Sequence, residues 1–336
     1  MNDREMWQAM GAIFATSISV LAVTSLLLTK RKTTKRTEAA GFAANGSKRE
    51  GEAISLKLAV LWIGAVVVVI LTQAYEHWGS ASYMAFCAPC AALYVTVPYA
   101  FPGPEDKKVS WKERYITKAN VWIGIFSFIG NYWYTHYFYR VLKVSASFLR
   151  RDGLGWVGLP ALTSLRLLFP SSFPLRRRHQ AKYTFEAYRL NDVPLCLYLM
   201  THAYFMFYHS LSNFAIRWIR DTYLASGTRA FFEWIVIGFM SYATAFGEAL
   251  TICAFPYYSF ENRNQAYVLG SAFYGIYFLV SYPMFFVVDE GARRGAKHTQ
   301  WSLGRTAMSA LAAGMAVMCL LDFVRLYLGV ELFATY

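Results

Sequence analysis

Charged residues are scarce in this chain of 336 residues: they make up 16% of it, against roughly 25% in an average soluble domain. Hydrophobic residues make up 56%, and the mean hydropathy is +0.30. This composition excludes a disordered chain, a collagen and a coiled coil, and it argues against a water-soluble globule. The formal net charge is nevertheless +13. In so apolar a chain, that excess favours the anionic face of a membrane over nucleic acid as a partner.

Cysteine is also rare, and the five that occur are too scattered for a disulfide framework. Cys87 and Cys90 have redox spacing, but they lie within an apolar segment, and we interpret them as small residues of a membrane helix. The sequence contains no GxGxxG, no P-loop, no HExxH and no paired CxxC with zinc spacing. Neither a nucleotide nor a metal is therefore expected as a cofactor.

Long apolar runs are abundant, and eight of them reach the roughly 20 residues that a spanning helix needs. The runs are continuous and do not alternate with polar residues, which predicts helices and not a β-barrel. The predicted spans are 7–29, 55–75, 81–101, 119–139, 193–216, 230–253, 267–287 and 306–329. We therefore predict an all-α, polytopic membrane bundle of about seven core transmembrane helices plus one N-terminal anchor helix.

Basic residues divide the loops into two groups. Residues 30–50 hold seven Lys and Arg, so the positive-inside rule places this loop in the cytoplasm. Alternation of the spans puts the basic loops 102–118, 217–229 and 288–305 on the same side. The exception is 140–192, which holds ten basic residues on the predicted opposite side.

A local segment causes this exception. Residues 144–180 contain six arginines and three prolines and show no helical period. The codons of Lys143 to Ser145 can contain an intron donor sequence, and the codon of Gln180 can form the end of an intron acceptor sequence. The segment between them has a length that keeps the reading frame. Two interpretations stay open: a retained intron in the gene model, or a genuine lineage-specific loop.

Several ordered motifs of unusual composition point to a known family. They are WKERY at 111–115, GNYWYTHYF at 130–138, FPYY at 255–258 and SYPMFF at 281–286, together with Glu248. These residues resemble the cycloeucalenol cycloisomerases, which are cyclopropyl sterol isomerases. The resemblance covers 47–143 and 181–330, which we interpret as a sterol isomerase membrane domain. Residues 1–46 are left as an N-terminal extension with an anchor helix and a basic linker.

The resemblance implies an isomerase of the intramolecular lyase type in sterol biosynthesis. Such an enzyme opens the 9β,19-cyclopropane ring of cycloeucalenol to give obtusifoliol, in the endoplasmic reticulum and without redox cofactor or metal. Its substrate would be a sterol drawn from the bilayer, with membrane lipid around it and no nucleic acid partner. The alternatives are another membrane sterol double-bond isomerase, or a non-enzymatic sterol-binding or transport membrane protein.

Ring opening requires a proton donor, a base and a pocket that excludes water and has a lining that tolerates positive charge. Glu248 is the predicted acid, because ionisable groups inside spans are costly and usually functional; the alternative is a helix-packing carboxyl bonded to a neighbouring Tyr or His. His136 or His202 is the predicted base or proton relay. Counted from one membrane face, these three residues and Tyr274 span only about 9 Å of depth, so one layer can hold them.

Polar and aromatic residues near the same spans are the predicted substrate contacts, since aromatic faces can stabilise a developing cation. The predicted contacts are Asn131, Tyr132, Trp133, Tyr134, Tyr137, His209, Asn213 and Tyr274. Asp289 and Glu290 follow the predicted span 267–287, and they are interpreted either as a cytoplasmic cap or gate, or as a solvated turn.

Overall fold

The computed structural model of the chain describes residues 3–32, 40–134, 182–183, 185–254, 258–259, 266–291 and 300–328. Its described part contains eight α-helices, and each one falls on a predicted span. The helices are α1 (Asp3–Leu26), α2 (Gly46–Leu71), α3 (Ser80–Ala100), α4 (Tyr115–Ile129), α5 (Leu195–Thr222), α6 (Gly227–Ala254), α7 (Ser271–Phe286) and α8 (Leu303–Leu328). The predicted all-α membrane bundle is confirmed.

Within the described ranges, six helices are long and apolar enough to cross a membrane; α4 and α5 are the other two. Helix α4 has 15 residues and continues as a π-helix, Gly130–Tyr134. Helix α5 has 28 residues but carries more polar side chains. It packs against α2, α3, α4, α6 and α7, so its polar face meets protein instead of lipid.

Two short antiparallel pairings lie at one end of the bundle. Strand β2 (Arg189–Leu190) pairs with β3 (Val193–Pro194), and the two turn residues between them have positive φ, as a two-residue hairpin requires. Strand β1 (Lys182–Tyr183) pairs with β4 (Tyr258–Ser259) and so joins two loops that are distant in sequence. Alternation of the spans predicted both loops on the same side.

The opposite end brings the basic loops together. Lys30 forms a β-bridge with Tyr223, and Ser47 donates a hydrogen bond to Asp106 at 2.5 Å. Lys118 forms an ion pair with Asp289. These contacts group the loops as the charge pattern predicted.

Helix α2 begins at Gly46, nine residues before the predicted start of that span. The side chain of Asn45 caps it by accepting a hydrogen bond from the Lys48 backbone nitrogen at 3.2 Å. The charges of Lys48 and Glu52 made this turn look like a loop in the sequence. Both side chains are buried, because the first turns of α2 contact other parts of the bundle.

Helix α1, the predicted anchor helix, packs against α6. Met6 and Met10 are buried, and the Phe14 ring lies 5.6 Å from that of Phe246 in α6 and 5.8 Å from that of Phe239. The segment 144–180 lies outside the described residues, so both interpretations of it, a retained intron and a lineage-specific loop, stay open.

Candidate functional site

Glu248 lies in α6, on the face that packs against α7, and its side chain is 9% exposed. The hydroxyls of Tyr208 in α5 and Tyr274 in α7 lie next to its carboxyl and interact with it. Three helices therefore converge on one acidic group. This arrangement keeps the carboxyl among aromatic rings and away from solvent, which is where proton transfer to carbon is not intercepted by water.

Two further tyrosines lie near Glu248, in addition to Tyr208 and Tyr274. Tyr204 and Tyr282 are near enough to Glu248 to interact with it electrostatically. The Tyr282 hydroxyl hydrogen-bonds with Thr244 at 2.9 Å, one helical turn before Glu248. We call Tyr204, Tyr208, Tyr274 and Tyr282 the tyrosine cluster. Their ring faces are suited to stabilising a cation.

His202 is placed elsewhere on α5. Its Nε2 atom lies 2.9 Å from Asn120 Oδ1, while the Asn120 amide nitrogen donates to the carbonyls of Tyr94 and Ile116. Because the Asn120 oxygen then accepts, Nε2 of His202 is the donor and Nδ1 keeps a lone pair. This is the tautomer that a base acting through Nδ1 requires.

The shared layer of His202 and Glu248, which the depth estimate predicts, stays a prediction. The α5 residue that contacts Glu248 is Tyr208, six residues and about 9 Å of helix rise beyond His202.

His209 and Asn213 are completely buried and are bonded within the protein. His209 Nδ1 donates to the Phe205 carbonyl at 2.8 Å, and its Nε2 lies 2.9 Å from the Ser281 hydroxyl. Asn213 donates to Glu52 at 2.8 Å and to Tyr115 at 3.2 Å. These contacts favour a packing role over the substrate contact that was predicted for both residues.

The π-helix after α4 links to the tyrosine cluster through one side chain. The ring of Tyr134 lies 4.6 Å from that of Tyr277, which is 4.9 Å from the ring of Tyr274. The Tyr134 hydroxyl donates to the Gly314 carbonyl at 2.7 Å. π-helical turns are often found at functional sites.

The other predicted substrate contacts in this π-helix have surroundings different from those of Tyr134. Asn131 donates to the carbonyl of Ser127 at 2.9 Å, and Trp133 is 47% exposed. The Tyr132 ring stacks on Phe128 at 5.6 Å. Predicted residues His136 and Tyr137 lie outside the described residues.

A second polar cluster lies at the end of the bundle that holds the basic loops. We call it the buried ion network, and it consists of Lys48, Glu52, Lys118, Arg217, Asp289 and Glu290. Its charges balance, three positive against three negative. The solvated-turn interpretation of 289–290 is wrong, since the Asp289 side chain is 1% exposed.

Glu290 shows the electrostatics of this network. Burial acts to raise the pKa of its carboxyl, but hydrogen bonds from Arg217 and the charge of Lys48 outweigh burial. The pKa of Glu290 is therefore below its ordinary value. The carboxylate is held in its charged form by two cations from α2 and α5.

The cysteines given for the described part are free thiols, and Cys87 lies next to Cys196 of α5. Across the described ranges, no group of three His, Cys, Asp or Glu side chains is arranged to hold a metal ion.

Sequence reasoning singled out Glu248 and Tyr274 and missed Tyr208 and the buried ion network. A usable signal for Tyr208 was its i, i+4 spacing from Tyr204, which puts two hydroxyls on one face of a spanning helix. The ion network had no such signal, because its members come from four separate stretches of chain.

Fold and site together define an all-α membrane protein with a carboxyl buried among tyrosines. The chain is 34% identical over 291 residues to the cycloeucalenol cycloisomerase of Arabidopsis thaliana, a match that covers 86% of this chain and 89% of the relative. The chain belongs to the cycloeucalenol cycloisomerase family. No protein-family model matches it, and neither does a solved structure.

Proposed function

We propose that the chain is an isomerase that opens the 9β,19-cyclopropane ring of cycloeucalenol and forms obtusifoliol. The match to a relative of that name over nearly the full length of both chains supports the proposal. The observation that carries it is the Glu248 carboxyl, buried in the bundle next to two tyrosines from other helices.

The reaction moves protons and requires no redox change. A proton reaches C19 as the C9–C19 bond breaks, positive charge develops near C9, and loss of the proton at C8 completes the double bond. In our proposal protonated Glu248 is the donor to C19. The rings of the tyrosine cluster face the developing charge, and the apolar bundle excludes the water that would trap it.

His202 is the proposed base or relay for the proton at C8. The Asn120 side chain fixes its tautomer with Nδ1 as the acceptor. Its offset from Tyr208 along α5 matches the need for the base to act at a carbon other than the one protonated. His136 stays a proposed alternative.

The substrate class suits a site inside the bundle. A sterol is apolar and is already dissolved in the bilayer, so it can enter between helices without passing through water. We place the reaction in the endoplasmic reticulum membrane, where a multi-pass protein of sterol biosynthesis would meet its substrate.

Conversion of cycloeucalenol by membranes containing the chain tests this proposal. The Arabidopsis thaliana relative, expressed in the same sterol-deficient yeast, is the positive control. We expect obtusifoliol from the wild-type chain and at least about a hundredfold less from Glu248→Gln, which inserts normally. Recovery of unchanged cycloeucalenol beside an active control would overturn the proposal, and conversion of a different sterol isomer would favour a double-bond isomerase.

A matched variant separates loss of the acid from loss of a buried charge. Glu233 lies in the same helix as Glu248 but pairs with Arg220 at 2.6 Å near the other end. Glu233→Gln makes the same chemical change about 22 Å of helix rise away. It should retain activity within about threefold, whereas equal losses in both variants would remove Glu248 from the acid role.

A further inference from the structure

Two tyrosine hydroxyls from different helices meet at the Glu248 carboxyl. Tyr208 comes from α5 and Tyr274 from α7, and the side chains of both lie next to the Glu248 carboxyl and interact with it. A tyrosine hydroxyl that contacts a carboxylate is the donor, because an ionised carboxylate can only accept. The two hydroxyls are therefore suited to stabilise the ionised form of Glu248.

The rings of both tyrosines are fixed by packing. The Phe278 side chain is fully buried, and its ring lies 5.9 Å from that of Tyr208 and 5.2 Å from that of Tyr274. Tyr204 stacks on Tyr208 at 6.3 Å, and Tyr277 lies edge-on to Tyr274 at 4.9 Å. Packing on several sides therefore holds both rings beside Glu248.

Preorganised donors matter most where charge appears during a reaction. A carboxylic acid that protonates carbon becomes a carboxylate inside a site without water, and charge-assisted hydrogen bonds to it are about twice as strong as neutral ones. Donors already in place cost no reorganisation at that moment.

We propose that Tyr208 and Tyr274 are positioning residues that aim the Glu248 carboxyl and stabilise the carboxylate left after it has given its proton to C19. The inference rests on the proposed function. Each tyrosine keeps its own proton throughout. The proton lost from C8 balances the proton gained at C19, so no other reactant is required.

Single replacements by phenylalanine remove the hydroxyl and keep the ring. In Tyr208→Phe and Tyr274→Phe, we expect kcat to fall at least about tenfold and KM for cycloeucalenol to change less than about threefold, because the ring surface against the sterol is unchanged. The double variant should lose less than the product of the single losses, since both donors act on one carboxyl.

Tyr242→Phe is the matched control. Tyr242 is in the same helix as Glu248, and its hydroxyl donates to the Val268 carbonyl at 3.2 Å, so the variant also removes a buried hydrogen bond. It should keep wild-type kcat. An equal fall of kcat in the control would overturn the inference, as would wild-type kcat in both cluster variants.

A spectroscopic measurement is independent of turnover. Infrared difference spectra against Glu248→Gln isolate the carboxyl band of Glu248 in the full chain. We expect that band to shift in both cluster variants and to stay in place in the control variant. An unshifted band in an enzyme that still opens the ring would sink the inference alone, whereas absence of ring opening in the wild type defeats the proposed function whatever the band does.

Discussion

Lys118 Nζ lies 2.6 Å from Asp289 Oδ2, although the two residues are 171 positions apart in sequence and both side chains are about 1% exposed. Asp289 also accepts a hydrogen bond from the Trp301 backbone nitrogen at 2.7 Å. The pair fastens the start of α4 to the turn after α7. A buried pair of this kind is costly to break from one side, because the remaining charge has no partner.

Lys118→Met should therefore lower the free energy of unfolding by about 3–5 kcal/mol. The double variant Lys118→Met, Asp289→Leu should recover part of this loss, since it leaves no unpaired charge. Thermal unfolding of the detergent-solubilised protein measures both. If the double variant lost more free energy of unfolding than the two single variants lose together, the result would contradict the pairing.

Glu290 predicts a dependence of stability on pH. Arg217 and Lys48 outweigh burial and hold the pKa of this carboxyl below its ordinary value, so its stabilising effect is present above about pH 4.3, the unfolded value, and is lost as pH falls through the lower folded value. The difference in Tm between wild type and Glu290→Gln should be largest near neutral pH and shrink in acid. A difference that grows on acidification would contradict this electrostatic account.

Gly314 allows close contact between α8 and α4. A Cβ atom at this position would lie 2.8 Å from Ile129 Cδ1 and 3.2 Å from the Tyr134 hydroxyl. Gly314→Ala should cost about 1–3 kcal/mol in the free energy of unfolding by overpacking. Gly238→Ala, where no atom lies within 4 Å of the added carbon, should be neutral or stabilising by about 0.5–1 kcal/mol. The same loss in both variants would show that helix geometry and not packing sets the effect.

The two described histidines of α5 should respond differently to replacement. His202→Gln should lower kcat strongly with little change in Tm, because we propose His202 as base or relay. His209→Gln should lower Tm, since it disturbs buried bonds to Phe205 and Ser281 that are worth about 1–3 kcal/mol when left unsatisfied. Activity and Tm measured on both variants check this division, and a fully active His202→Gln would exclude the proposed base.

The sequence predicted the spans well and their ends and contacts less well. All eight apolar runs became helices, because run length alone decides whether a segment can span the bilayer. Helix α2 starts earlier than predicted because Lys48 and Glu52, which look solvated in the sequence, find partners inside the bundle. A charge pattern cannot show a partner that packing brings from a distant stretch.

The same limit applied to the site. Glu248 was identifiable because an acidic residue within a span is costly, and this needs no knowledge of its neighbours. Tyr208 was not assigned, because its contact with Glu248 depends on the rotation and offset of α5 relative to α6. Counting residues from the membrane face fixes neither quantity.

Proton delivery by Glu248 is the central claim, and isotope transfer tests it most directly. The purified chain is equilibrated in deuterated water and mixed with a smaller molar amount of cycloeucalenol, so that each enzyme turns over at most once. The account predicts obtusifoliol with one deuterium in the C19 methyl group from the wild type, and at least about a hundredfold less labelled product from Glu248→Gln in the same time. Product without deuterium at C19, or labelled product formed by Glu248→Gln at the wild-type rate, would contradict it.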